Sequence, residues 1–107
     1  MATESAPTMR VSEADGGRAE LFLAGEVGAD ALRELEEVLG SRPLGEADEW
    51  LVDMSRVVRF DLACAYALLR SATLRPKPAA LTIHGARRTV QRTLRQAGLD
   101  TVSVFAE

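Results

Sequence analysis

The stretch WLVDMSRVVRFDLACAYALLRSATL, residues 50 to 74, changes character at Asp61. Before it, apolar and β-branched residues read as a buried strand over residues 50 to 55. Val57 to Phe60 continue as a short extended segment or strand tail. After it, Ala65, Leu68, Leu69 and Ala72 fall on one helical face, and Pro76 and Pro78 forbid continuation. Asp61 at the junction predicts a helix N-cap, since a short carboxylate there accepts hydrogen bonds from the free N–H groups of the first turn.

The same alternation extends in both directions. ALTIHG, residues 80 to 85, reads as a buried strand, and ARRTVQRTLRQAG after it carries Val90, Leu94 and Ala97 on one helical stripe with Gly98 as the stop. A strand over residues 101 to 105 closes the chain. Upstream, Leu32, Leu35, Val38 and Leu39 recur at helical spacing in ADALRELEEVLG, acids fill the other positions, and Gly40 ends the helix. Pro43, Gly45 and the acids that follow read as a loop. A strand from Met9 to Ser12, a turn at Asp15, Gly16 and Gly17, and a strand from Ala19 to Gly25 make a hairpin. Residues 1 to 8 read as a disordered tail, and residues 9 to 107 as one domain. The order β-β-α-β-α-β-α-β implies an α/β fold whose parallel strands are joined by right-handed crossovers, with helices over about residues 29 to 40, 61 to 74 and 86 to 97.

With 107 residues, 47% of them apolar and 27% charged, the composition is that of a folded domain. The N-terminus lacks the apolar stretch of a signal peptide and no run spans a bilayer, so a cytoplasmic location without membrane insertion is expected. One cysteine, Cys64, and one histidine, His84, exclude an internal disulfide and argue against a metal site. No Gly-rich phosphate loop is present, and neither cofactor nor catalytic residue is expected. The net charge of −3 conceals an asymmetry: residues 1 to 53 hold 13 acids and 4 basic residues, residues 54 to 107 hold 3 acids and 9 basic residues. Such a chain steers partners by charge. Nucleic acid is a poor fit, since the arginines are not interleaved with aromatics.

Several pieces together resemble the STAS domains of bacterial anti-sigma factor antagonists. They are Gly25-Glu26 after the second strand, the LVDMS strand with Asp53, the approach from Val57 to Asp61, the helix ending ALLR at residues 67 to 70, and Gly98-Leu99. The resemblance implies a mixed sheet of about five strands with three to four helices, no enzymatic activity, and binding to an anti-sigma factor, its kinase or a related regulator. In that family the acid at Asp61 is followed by a serine that the partner kinase phosphorylates to block binding. Here Leu62 stands at that position, Ala63 and Cys64 follow it, Gly28 replaces an acid, and Tyr66 replaces a small residue. The phosphorylation switch therefore does not carry over, because leucine has no acceptor oxygen.

The resemblance places partner binding at Glu26, Gly28, Asp61, Leu62, Ala63 and Tyr66. Asp61 needs no role beyond capping, Cys64 reads as a packed or idle thiol, and the last helix's arginines read as a solvated face. Ser55, Ser71 and Thr73 remain other places for phosphate. Leu62 with Tyr66 one turn on makes either a small apolar docking spot or the residue of drift. Two further readings stand beside the adaptor: a STAS subunit of a larger assembly, such as a stress-signalling complex or a lipid-transport ABC system, and a nucleotide- or lipid-sensing domain.

Overall fold

A computed structural model describes residues 6–14 and 16–107. Five strands form one sheet in the order β1-β2-β3-β4-β5: β1 (Thr8–Ala14), β2 (Arg18–Val27), β3 (Glu49–Phe60), β4 (Ala80–His84) and β5 (Ser103–Ala106). β1 and β2 pair antiparallel, and β2 to β5 are parallel. The helices are α1 (Leu32–Leu39), α2 (Arg42–Glu46), α3 (Leu62–Thr73) and α4 (Arg88–Ala97). The mixed five-stranded sheet with four helices is the architecture the sequence implies.

Strand order equals chain order, so every right-handed crossover places its helix on the same face of the sheet. Burial alternates accordingly: Ala19, Leu21 and Leu23 of β2, Trp50, Val52 and Met54 of β3, and Leu81 and Ile83 of β4 are buried beneath the helices. Their side chains meet Leu35 and Leu39 of α1, Ala65 and Leu68 of α3, and Val90 and Leu94 of α4. The opposite face carries Arg10, Phe22, Leu51, Asp53 and His84 and, among the described residues, has no helix over it.

Boundaries differ from the sequence reading for local reasons. β1 takes in Thr8, which pairs with Ala24, where the sequence reading ends the tail; residues 1–5, on which most of that tail falls, and the turn residue Asp15 lie outside the described residues. The first helix opens with a 3-10 turn at Ala29–Ala31 before α1. The segment read as a loop forms α2, because Pro43 occupies its first turn, where no intrahelical N–H is needed, and Arg42 pairs with Glu46 at 3.2 Å. α2 is tied down by Trp50, whose buried Nε1 donates to the Leu44 carbonyl at 2.9 Å, and by Arg75, which donates to the carbonyls of Gly45 and Ala47. β5 starts later than expected because Leu99–Thr101 form a 3-10 turn.

The strand tail at Val57 to Phe60 is part of one 12-residue strand whose pairing with β2 slips twice. Phe22 pairs with Asp53 but Ala24 with Arg56, and Gly25 pairs with Val57 but Glu26 with Arg59. Each slip inserts a residue and breaks strict alternation. Ser55-Arg56 and Val58-Arg59 are thus exposed in consecutive pairs between the buried Met54, Val57 and Phe60.

Candidate partner-binding site at the start of the third helix

β2 and β3 finish side by side, with Val27 opposite Phe60. The backbone N–H of Asp61 donates to the Val27 carbonyl at 2.9 Å and extends the ladder by one bond. The chain leaving β2 at Gly28 and the chain entering α3 at Asp61 are therefore neighbours. Such crevices beyond the carboxyl ends of parallel strands are where α/β sheets present binding residues.

Asp61 is the N-cap, extended at φ −71° and ψ 149°, and its carboxylate accepts a hydrogen bond from the Ala63 N–H at 3.0 Å. Its carbonyl accepts from the N–H groups of Cys64 and Ala65, each at 3.0 Å. Cys64 points inward, fully buried, and its Sγ donates to the Gly28 carbonyl at 3.4 Å, tying the two chain segments together. Desolvation, with the nearby charges of Asp61, Asp30 and Glu36, pushes this thiol up to about 11. It is a packed thiol, as its alanine-rich surroundings imply.

Leu62 and Tyr66 point outward, 36% and 40% exposed, and Ala63 is half-buried. The first turn thus presents Leu62, Ala63 and Cys64 with no hydroxyl among them. Glu26 is exposed and stands opposite Arg59 in the parallel register. Gly25 adopts φ +90°, a conformation any side chain would strain, although a Cβ there would meet Pro7 only at an ordinary contact distance of 3.6 Å. Gly28 has ordinary extended geometry; its carbonyl serves the Ala31 N–H at 2.9 Å and Cys64.

The structure therefore brings Glu26, Gly28, Asp61, Leu62 and Ala63 to one end of the sheet, with Tyr66 one turn along α3. Two clefts flank this end. One, of about 790 Å³, includes Glu26, Gly28, Asp30 and Glu34 with Arg59; the other, of about 260 Å³, lies between Val58, Asp61, Leu62 and the α4 residues Thr89, Thr93 and Gln96. Val58, 44% exposed, and Arg59 line both clefts and form the ridge between them. The sequence reading missed these two, because the slips that turn them both outward leave no mark in residue type.

On the helix-free face, Asp53 stands opposite His84 in the register of β3 and β4. Burial alone would raise the Asp53 pKa, but hydrogen bonds from the Ser55 N–H at 2.9 Å and Oγ at 2.7 Å, with His84 and Arg56 nearby, hold it below the usual carboxylate value. His84 is a half-buried strand-end residue. Among the described residues no group of three or more His, Cys, Asp or Glu is placed to hold a metal ion, and no helix is long and apolar enough to cross a membrane.

A sequentially ordered mixed sheet with its helices on one face and a capped helix start beside the β2 exit defines a STAS-type α/β domain. The chain belongs to the STAS family: residues 11–105 match the family model described as "Mlab, STAS domain". Among solved structures, the fold is similar to an anti-sigma factor antagonist from Mycobacterium paratuberculosis, at 17% identity and a TM-score of 0.81 over 99% of this chain and 90% of that one. It is also similar to the anti-sigma factor antagonist SpoIIAA in its unphosphorylated form, at 10% identity and TM-score 0.66 over 94% and 87% of the two chains. For the Bacillus cell fate determinant SpoIIAA in its phosphorylated form the values are 13%, 0.59, 94% and 92%. These likenesses are of fold. Among curated proteins, none matches in sequence.

Proposed function

We propose that this chain is a non-enzymatic interaction module that docks an anti-sigma factor, its kinase or a related regulator through the start of α3, with no phosphorylation switch there. The observation that carries the reading is the first turn of α3. Asp61 caps it, Leu62 and Tyr66 project from it into solvent, and its three leading residues offer no hydroxyl to a kinase. An exposed leucine beside an exposed tyrosine, with the polar Arg59 and Thr89 sharing the leucine's cleft, has the make-up of a small interface centre. The structural relatives are anti-sigma factor antagonists by description, which supports the same class of partner.

The test pairs two variants. Leu62→Asp places a carboxylate where the family carries phosphate, and Tyr66→Ala removes the aromatic. Both should retain the fold, and both should lose a partner captured by wild-type protein and then confirmed by titration calorimetry. Undiminished binding by both variants would refute the docking site. Phosphate found by mass spectrometry at Ser55, Ser71 or Thr73 after incubation with that partner and ATP would show that a different switch exists.

A second reading is favoured by the family match, whose description names the Mlab branch of STAS domains. In it the chain is a resident subunit of a larger assembly, for example a lipid-transport ABC system, and uses the same helix start as a permanent contact. Co-purification at fixed stoichiometry through high salt would support this reading. Exchange within minutes would support the adaptor.

A further inference from the structure

We infer that the outer face of the helix layer is self-complementary and pairs with a second copy of this chain about a two-fold axis parallel to α3. The inference goes beyond the partner reading and rests on the charges of α1 and α4. α3 packs against α1 on one side and α4 on the other, so the layer runs α1-α3-α4 across the sheet. α1 carries Glu36 and Glu37, both exposed, with Arg33 as its sole cation, while the exposed Glu34 and Asp30 line the cleft at the end of the sheet with Arg59. α4 carries the exposed Arg88 and Arg92, with Arg87 at its N-cap and no acid in its length, while Arg95 lies over the Phe105 ring and donates to Gln91. Among the described residues, the ion pairs are Arg18–Glu49, Arg42–Glu46 and Lys77–Asp48, which use none of these groups. α3 between the two flanks is apolar on its outer side at its start, where Leu62 and Tyr66 are exposed and Leu69 is half-buried at helical spacing, before the exposed Arg70.

Helices packed at about 8–10 Å put the axes of α1 and α4 about 16–20 Å apart, on either side of the α3 seam. Each crossover helix returns antiparallel to its strands, so the three run in the same direction. Two such faces can meet about one of two kinds of two-fold axis. An axis across the helices sets α1 on α1 and α4 on α4, like charge on like. An axis along α3 sets the acidic α1 of each copy on the basic α4 of the other and lays Leu62 and Tyr66 on their counterparts. Charge selects the second, much as charges beside an apolar seam set pairing in a two-stranded coiled coil. Arg70, at the far end of the seam, meets its own copy and opposes the pairing. The face is three helices wide and only 8 to 12 residues long at α1 and α3. So short a face suits a weak dimer rather than an obligate one, and a regulator using the same helix start competes with it.

The test is a charge swap read by sedimentation equilibrium. Wild-type chain should dimerise at low salt, and dimerisation should weaken about tenfold or more when ionic strength rises from about 0.02 M to about 0.5 M. The double variant Glu36→Lys/Glu37→Lys makes both flanks basic, and Arg88→Glu/Arg92→Glu makes both acidic. Each alone should be monomeric at concentrations where wild type dimerises. Mixed one to one, they should form a heterodimer at least as tight as the wild-type dimer. All four positions are exposed, so each melting temperature should stay close to wild type. Wild type that remains monomeric at millimolar concentration in low salt, variants that dimerise alone as wild type does, or a mixture that stays monomeric would overturn the inference. None of these outcomes depends on a regulator binding at α3, so the two proposals fail separately.

Discussion

Replacing Leu62 with aspartate separates a surface docking residue from a core anchor. At 36% exposure, about two-thirds of the leucine is already out of water, against the cleft wall formed with Val58 and Val90. Complete burial of a leucine is worth about 1.5–3 kcal/mol, so Leu62→Asp forfeits about 1–2 kcal/mol. A carboxylate at the first helical position recovers about 0.3–1 kcal/mol from the free N–H groups and the helix dipole. The adjoining Asp61 carboxylate trims that gain. The net loss of about 0.5–1.5 kcal/mol corresponds to a fall in Tm of about 3–10 °C for a domain of this size. Differential scanning calorimetry of Leu62→Asp, with Leu62→Ala as the uncharged control, reads this directly. A fall of more than about 15 °C would refute the placement of Leu62 at the surface. Partner binding by the same protein then reports on docking without confusion from unfolding.

Three further outcomes follow from individual residues. Asp61→Ala should destabilise by about 0.5–2 kcal/mol in urea titration through loss of the cap, and Asp61→Asn, which can still accept from Ala63, by less. The Cys64 thiol, raised to about 11 mainly by burial, should stay unreactive toward a thiol reagent at pH 8. The unfolded chain ionises first, near the ordinary thiol value of 9.0, so the same shift makes stability fall as pH climbs from about 9 toward 11, which pH-dependent melting checks. Gly85→Ala should destabilise by at least about 2–4 kcal/mol in the same titration, because Gly85 sits at φ +75° and a Cβ there would meet the Ser55 Cβ at 2.7 Å.

What could be read from residue types was the part of the fold that repeats. Leu35 and Leu39, Ala65 and Leu68, and Val90 and Leu94 mark their helices by spacing alone, and all are buried. Asp61 was legible as a cap because a strand-to-helix junction leaves few other uses for a short carboxylate. Features set by pairing were not legible. The two register slips of β3 bring Val58 and Arg59 to the centre of the candidate site, yet VVRF carries no sign of a slip. α2 was hidden because Pro43 and Gly45 signal a turn, and it is held from outside by Trp50 in the next strand and by Arg75 far along the chain.

The charge asymmetry lies between these cases, and the topology explains how it becomes spatial. In a sheet whose strand order differed from chain order, acids of the first half and arginines of the second would be interleaved across the molecule. Here β2 to β5 lie in chain order and each crossover helix follows its strand, so position along the chain becomes position across the layer. The acidic segment from Asp30 to Glu37 lands on one flank, and Arg87 to Arg95 lands on the other, with α3 between them. A charge imbalance between two halves of a sequence thereby becomes a dipole across one exposed face. The apolar start of α3 lies at its centre, where an approaching surface of matching polarity is oriented before it makes contact.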